Sequence, residues 1–224
     1  MFTSIARRYD LLNHLLSLNL DRRWRQRAAH EAFDGRPRSR VLDLCAGTGD
    51  LALELARRFG DARIVALDFL EPMLERGRAK SRRAGMANRI YPVCGDALHL
   101  PFRDHSFEVL TVAFGLRNLF PIEKSLAEMA RVIQPGGQIV ILEFALPAQR
   151  FWRWLYGLYF FRILPKIGKW ISGTSAYSYL AASVALFPQP ERLCEMLGKR
   201  GFADVQWHPL TGGTVALYTA RVAR

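Results

Sequence analysis

Residues 41–50 read Val41-Leu42-Asp43-Leu44-Cys45-Ala46-Gly47-Thr48-Gly49-Asp50, and the rest of the chain is organised around them. Val41, Leu42 and Leu44 make a short apolar strand, and the spacing predicts a helix over 51–59 with Leu51, Leu55 and Phe59 on one face. Between strand and helix, Gly47 and Gly49 permit a tight turn and let a ligand approach bare backbone, where a Cβ would obstruct it. The turn is built to hold something.

The glycines alone leave that ligand open, because with Ala52 they nearly complete a dinucleotide fingerprint of the form G-x-G-x-x-G. Asp43 before the turn, Thr48 within it and Asp50 after it would crowd a pyrophosphate with negative charge. A carboxylate suits the ammonium of an amino acid instead. A second strand, predicted at 62–67, ends in Asp68, placed to grip a ribose diol with two oxygens. A third, at 90–93, leads to Gly95-Asp96-Ala97, where Asp96 can accept from an exocyclic adenine amine. Ala113, near the end of a fourth strand over 109–114, belongs to the same rim. Three acidic strand ends around one glycine turn read as a site for S-adenosylmethionine. The run D-x-x-x-G-T-G resembles the first motif of the class I methyltransferases. An ordinary strand-to-helix turn of an α/β protein is the competing reading of the same glycines.

The implied fold class is α/β and Rossmann-like: a seven-stranded, mostly parallel sheet with an antiparallel last strand, an N-terminal helical cap and an aromatic helical insertion. A chain of 224 residues, half of them hydrophobic and 23% charged, suits one such globular domain and excludes a disordered chain. The three cysteines, Cys45, Cys94 and Cys194, show neither C-x-x-C spacing nor histidines in metal-ligand register. No metal and a reducing, cytoplasmic setting follow. Residues 1–4 begin no apolar signal segment, which also predicts a cytoplasmic protein. The net charge of +12 calls for a polyanion, either nucleic acid or the anionic face of a membrane. An excess of arginine over lysine can reflect genome composition, and no stretch looks like an RNA-recognition module or a basic tail.

Residues 2–16 carry Phe2, Ile5, Ala6, Tyr9, Leu12 and Leu16 at helical spacing. With Asp10, Asn13, Ser17 and Trp24-Arg25 they closely resemble the N-terminal signature of the quinone-biosynthesis C-methyltransferases, which act on demethylmenaquinol and on the benzoquinol precursor of ubiquinone. The resemblance implies a segment that caps the cofactor pocket, with Tyr9 near the ligand. It continues in Phe114-Gly115-Leu116-Arg117-Asn118, which matches the family's F-G-x-R-N pattern at every fixed position and implies that Arg117 and Asn118 are substrate-side residues. A third match is Tyr177-Ser178-Tyr179-Leu180, Ser183 and Phe187-Pro188, and it adds Tyr177 to the expected catalytic set. One departure is Asn19, where the family usually has glycine.

The remaining elements follow from pattern. A helix is expected from Pro72 to about residue 83, and another over 125–133. Gln134-Pro135-Gly136-Gly137 reads as a tight turn into a fifth strand at 138–144. Glu143 closes that strand at the pocket rim, as a rim contact or a helix cap. A last helix over 189–199 precedes strands at 202–208 and 214–222. The expected division of the single domain is a cap over 1–40, a cofactor-binding core over 41–145, a substrate-side, membrane-facing insertion over 146–187 and a C-terminal part over 188–224. Within the insertion, 151–170 is densely aromatic and flanked by Arg150, Arg153, Arg162, Lys166 and Lys169. Its apolar core, 154–161, is far below the roughly 20 residues a spanning helix needs. Rings with flanking cations suit a lipid interface on the inner face of the cell membrane, or admission of a polyprenyl tail, or a lid on the protein's own core.

The resemblance implies methylation of a prenylated quinol ring carbon, with demethylmenaquinol as the first acceptor and the benzoquinol precursor of ubiquinone as the alternative, Arg117 lowering the pKa of the acceptor's hydroxyl and anchoring a water, and Asn118 orienting. A homodimer is allowed. Two other readings keep the cofactor: an RNA methyltransferase that uses the basic charge, and a catalytically silent assembly protein of a quinone-biosynthesis complex.

Overall fold

A computed structural model describes residues 17–33, 39–147 and 176–223, together with 14, 35, 149, 154, 157 and 158; residues 176–178 are described as helix backbone. In chain order the elements are α1 (Leu20–Ala32), β1 (Arg40–Leu44), α2 (Asp50–Arg58), β2 (Arg63–Asp68), α3 (Glu71–Arg83), β3 (Ile90–Cys94), β4 (Phe107–Ala113), α4 (Ile122–Val132), β5 (Ile133–Phe144), α5 (Ala176–Leu186), α6 (Pro190–Lys199), β6 (Phe202–Leu210) and β7 (Val215–Val222). Short 3₁₀ turns occupy Leu116–Asn118 and Thr211–Gly213.

The strands form one seven-stranded sheet in the order β3-β2-β1-β4-β5-β7-β6. The pairings from β3 to β5 are parallel, and β7 is antiparallel to both β5 and β6. The central strands are apolar on both sides because helices cover both faces. On one face Val41, Val109, Val140 and Leu142 pack with Trp24 and Ala28 of α1 and with Leu51 and Leu55 of α2. On the other, Leu42, Leu110, Val112 and Ile141 pack with Leu126 and Met129 of α4 and Leu193 and Leu197 of α6. Strand alternation therefore sends Asp43 and Thr111 to the first face and Glu143 to the second.

Three local findings depart from the sequence pattern. The Pro-Gly-Gly run does not lead into β5 but lies inside it: Ile133 already pairs with Phe107, and the register then jumps to Gln138 opposite Val109. Gly136 takes φ +72° in this bulge, and a Cβ on Gly137 would lie 2.5 Å from Cγ2 of Ile133, so the kink needs both glycines. Helices α1 and α5 are elements in their own right. Asn19 caps α1 in the left-handed region at φ +59°, which explains why glycine suits the position and why asparagine, tolerant of that region, can replace it. Of the proposed helix over 2–16, all but His14 lies outside the described residues, as does most of 151–170. No helix among the described residues is long and apolar enough to cross a membrane.

Candidate functional site

Parallel strands end together along one sheet edge, and several of the expected residues lie along it. Leu44 is level with Leu67 and with Val112, so Cys45, Asp68 and Ala113 stand one step beyond, side by side. The backbone continues the pairing into the loops: Ala46 donates to the Leu67 carbonyl at 2.9 Å, Gly95 to Asp68 at 3.0 Å and Phe114 to Leu142 at 2.7 Å.

The glycine turn has the conformation its residues predict. Gly47 and Gly49 take φ +56° and +81°, and a Cβ built on Gly47 would meet nothing within 4 Å, so the space over the turn is open to a ligand. Asp68 holds the turn in place, its Oδ2 accepting from Gly47 N at 2.8 Å while Oδ1 accepts from Leu70 N at 2.9 Å. Burial raises its pKa against those amide bonds. Asp43 is 1% exposed; Thr111 donates to its Oδ1 at 2.8 Å, and its Oδ2 has no hydrogen-bond partner. Burial pushes this carboxyl up to about 7, and the Thr111 hydroxyl, the Arg25 charge and the nearby Ala52 amide offset only part of the rise. An orphaned buried carboxylate oxygen beside an open glycine turn fits a ligand that brings an ammonium group. Asp96 accepts from Leu98 N at 2.8 Å and contacts His99 Nδ1 at 3.2 Å; the Leu98 amide, then His99, hold it below the usual carboxylate range. Ala97 is buried next to it. Thr48 is turned the other way: its hydroxyl accepts from Lys80 Nζ of α3 at 2.9 Å, and Lys80 also reaches Asp50 at 2.5 Å.

The Phe114–Asn118 turn is pressed against the glycine turn. Gly115 is so close to Cys45 that a Cβ there would lie 2.4 Å from the Cys45 Cβ. Arg117 does not stand as a lone cation. Its side chain is 6% exposed, Nη1 donates to Glu143 Oε1 at 2.8 Å and also to the Phe114 carbonyl, and its Cζ lies 5.3 Å from the centre of the Phe144 ring. Glu143 is fully buried and pairs with Arg117, so it is no rim contact; of the two readings the helix cap is the nearer, because its Oε2 accepts from Arg117 N in the Leu116–Asn118 turn. Asn118 accepts at Oδ1 from the Tyr179 hydroxyl at 3.1 Å, joining α5 to this turn. Sequence reading placed Tyr177 here and passed over Tyr179; Tyr9 and the Tyr177 side chain lie outside the described residues.

The N-terminal signature also acquires physical content. Trp24 donates from Nε1 to Thr211 Oγ1 at 2.8 Å, tying α1 to the turn before β7. Asp21, which the sequence pattern did not single out, is 3% exposed and gathers Ser17 Oγ at 2.7 Å, His14 Nδ1 at 2.7 Å and the Arg25 guanidinium. Burial works against its ionisation, yet Arg25 and Ser17 together hold its pKa below the usual value. Arg25 in turn lies over the Phe114 ring at 5.6 Å. Among the described residues no group of three or more His, Cys, Asp or Glu could hold a metal ion.

This sheet, with its glycine turn among acidic strand ends, defines a class I S-adenosylmethionine-dependent methyltransferase. Solved structures share the fold: a SAM-dependent methyltransferase from Aquifex aeolicus (TM-score 0.61, 17% identity, 82% of this chain and 81% of that one) and phosphoethanolamine N-methyltransferase 2 of Haemonchus contortus in complex with S-adenosyl-L-methionine (TM-score 0.67, 14% identity, 89% and 52%). Within that class the chain belongs to the ubiE/COQ5 methyltransferase family, whose profile matches residues 1–221. It is 47% identical to a demethylmenaquinone methyltransferase of Deinococcus radiodurans over 97% of this chain and 89% of the relative, and 47% identical to one of Thermus thermophilus over 97% and 98%. A ubiquinone/menaquinone biosynthesis C-methyltransferase UbiE of Geobacter sp. strain M21 is 45% identical over 97% and 93%.

Proposed function

We propose that the chain methylates a ring carbon of a prenylated quinol, with demethylmenaquinol as its acceptor and the benzoquinol precursor of ubiquinone as the second candidate. The names of the Deinococcus and Thermus relatives favour the first acceptor, and that of the Geobacter relative covers both. The observation that carries the reading is the close contact of Gly115 with Cys45, which sets Arg117 and Asn118 beside the open glycine turn.

S-adenosylmethionine, when bound, supplies a methyl group on a sulfonium, which an electron-rich ring carbon takes up. In this proposal the orphaned Oδ2 of Asp43 accepts from the donor's ammonium, the backbone of Gly47, Thr48 and Gly49 lets it approach closely, Asp68 holds the ribose diol, and Asp96 with Ala97 and Ala113 borders the adenine. Arg117 favours the ionised form of the acceptor's hydroxyl, which raises electron density on the adjacent carbon. Arginine stays protonated, so it anchors a water that removes the ring proton and is not itself the base. Asn118, held by Tyr179, orients the ring, and Tyr9 and Tyr177 border it. Alignment of donor and acceptor is the protein's largest contribution.

A lipid surface delivers such an acceptor. Helix α5 carries no charged residue, and its Tyr179 and Leu186 are exposed, as is Phe120 two residues after Asn118. These groups support peripheral docking on the inner face of the cell membrane, with the prenyl tail entering from that side.

Methyl transfer from labelled S-adenosylmethionine to a panel of prenylated naphthoquinols and benzoquinols tests the reading. Label in the naphthoquinol product is the expected result, and label in neither class would overturn it. Asp68→Ala should weaken S-adenosylhomocysteine binding by about tenfold or more, as loss of a charged hydrogen-bond acceptor requires. An unchanged affinity would remove the ribose assignment.

A further inference from the structure

We propose that Glu143 is a positioning residue for methyl transfer, aiming the Arg117 guanidinium at the acceptor and balancing its charge. The inference rests on the role given to Arg117 above.

Glu143 ends β5 with its side chain on the face opposite to Asp43, and it is 0% exposed. Both oxygens are engaged: Oε1 accepts from Arg117 Nη1 at 2.8 Å and from Phe144 N at 2.9 Å, and Oε2 accepts from Arg117 N at 3.2 Å. Three accepted bonds from fixed donors suit a counter-charge held in one place. The guanidinium is thereby held on several sides, by Glu143, by the Phe114 carbonyl and by the Phe144 ring. Such fixing of one cation exceeds what packing demands, because an apolar pair of similar volume fills buried space at no greater cost than a buried ion pair. The charge is kept where chemistry uses it.

Two further observations point the same way. Arg117 Nε is buried without a hydrogen-bond partner, a donor that the fold leaves unsatisfied and that an acceptor oxygen can satisfy after a small shift. The next residue, Asn118, has its Oδ1 occupied by Tyr179, so its amide NH₂ is the end left to donate. Two adjacent donors, each fixed by a partner from another element, match the oxygen of a quinol. Among the described residues Cys45 and Tyr218 also feel Glu143, and burial pushes both upward so that they stay protonated and uncharged. Arg117 is left to answer the Glu143 charge.

The test compares Glu143→Gln, Arg117→Gln and the double variant with wild type. For E143Q, S-adenosylhomocysteine affinity by calorimetry should stay within about twofold, while kcat should fall about a hundredfold, the usual scale for a misaligned group near the reacting atoms. The double variant should turn over no more slowly than R117Q alone, because Glu143 acts through Arg117. The pH profile of kcat should move in E143Q and not in the double variant relative to R117Q. Wild-type kcat in E143Q, or a double variant far slower than R117Q, would overturn the proposal. If R117Q itself kept wild-type turnover, the role of Arg117 would fail first, and E143Q would show whether Glu143 matters by another route. Should the single variants not fold, Arg117→Met with Glu143→Leu keeps the pair apolar. That protein should bind S-adenosylhomocysteine and transfer no methyl, and full turnover by it would refute the proposal.

Discussion

Gly115 rests on Cys45: a side-chain carbon on the glycine would lie 2.4 Å from the Cys45 Cβ and 2.9 Å from its sulfur. One turn of this contact precedes the cofactor glycines and the other carries Arg117, so the two halves of the site are in register through a single interatomic distance.

Gly115→Ala should therefore cost about 1–3 kcal/mol of stability, the usual range for overpacking a filled interior. It should also lower affinity for S-adenosylhomocysteine, because the displaced Cys45 leads directly into Gly47. Cys45 sits at φ +54°, a conformation glycine adopts freely, so Cys45→Gly should restore both properties in the G115A background. Thermal melts and calorimetry on the two variants check this, and unchanged values in G115A would contradict the contact.

The Asp43 carboxyl, at about 7, lies well above the roughly 3.9 of a solvated aspartate. Between those values the folded chain retains a proton that the unfolded chain has released. Stability of the ligand-free protein should thus fall as pH rises from about 4 to about 7, and level off above. An ammonium at Oδ2 favours the ionised form, so cofactor binding below pH 7 should release a proton. Affinity should then climb with pH, by about tenfold per unit well below the midpoint, and flatten above it. Calorimetry in buffers of different ionisation enthalpy reads the proton directly. Asp43→Asn should abolish both effects, and a buffer-independent enthalpy in wild type at pH 6 would contradict the assignment.

The Arg117–Glu143 pair makes a separate prediction for folding. Arg117→Ala alone leaves a buried carboxylate without its partner and should cost about 3–5 kcal/mol. Joint replacement by Met and Leu should be close to neutral, within about 1–2 kcal/mol. Denaturant titrations of both proteins decide it, with equal losses in the two arguing against a paired role.

The geometry of the glycine turn was legible because its signals are local. Gly47 and Gly49 need positive φ within three residues, and Asp68 follows directly on an apolar strand. The acceptor half depends on contacts across the chain. Glu143 meets Arg117 from 26 positions away, and Tyr179 meets Asn118 from 61. Nothing in the neighbours of Glu143 separates a buried partner from a rim contact. Helix α1 buries mainly small residues, Ala28, Ala29 and Ala32, and α5 carries no charged residue to mark a polar face, so neither gives a strong amphipathic signal. Asp21 was not legible because Ser17 and Arg25 stand in the N-terminal signature as matched letters, and nothing in the signature shows that they close around a buried carboxylate between them. The bulge in β5 was hidden because Pro-Gly-Gly is also a good turn, and only the pairing of Ile133 with Phe107 shows that the strand has already begun.

The most direct measurement of the central claim uses a prenylated naphthoquinol carrying deuterium on the ring carbon to be methylated, with S-adenosylmethionine as donor, under reducing and oxidising conditions. The account predicts a methylated product that has lost its ring deuterium, formed only when the ring is kept reduced. A product that retains the deuterium, with its methyl on oxygen, or equal conversion of the oxidised quinone, would contradict it.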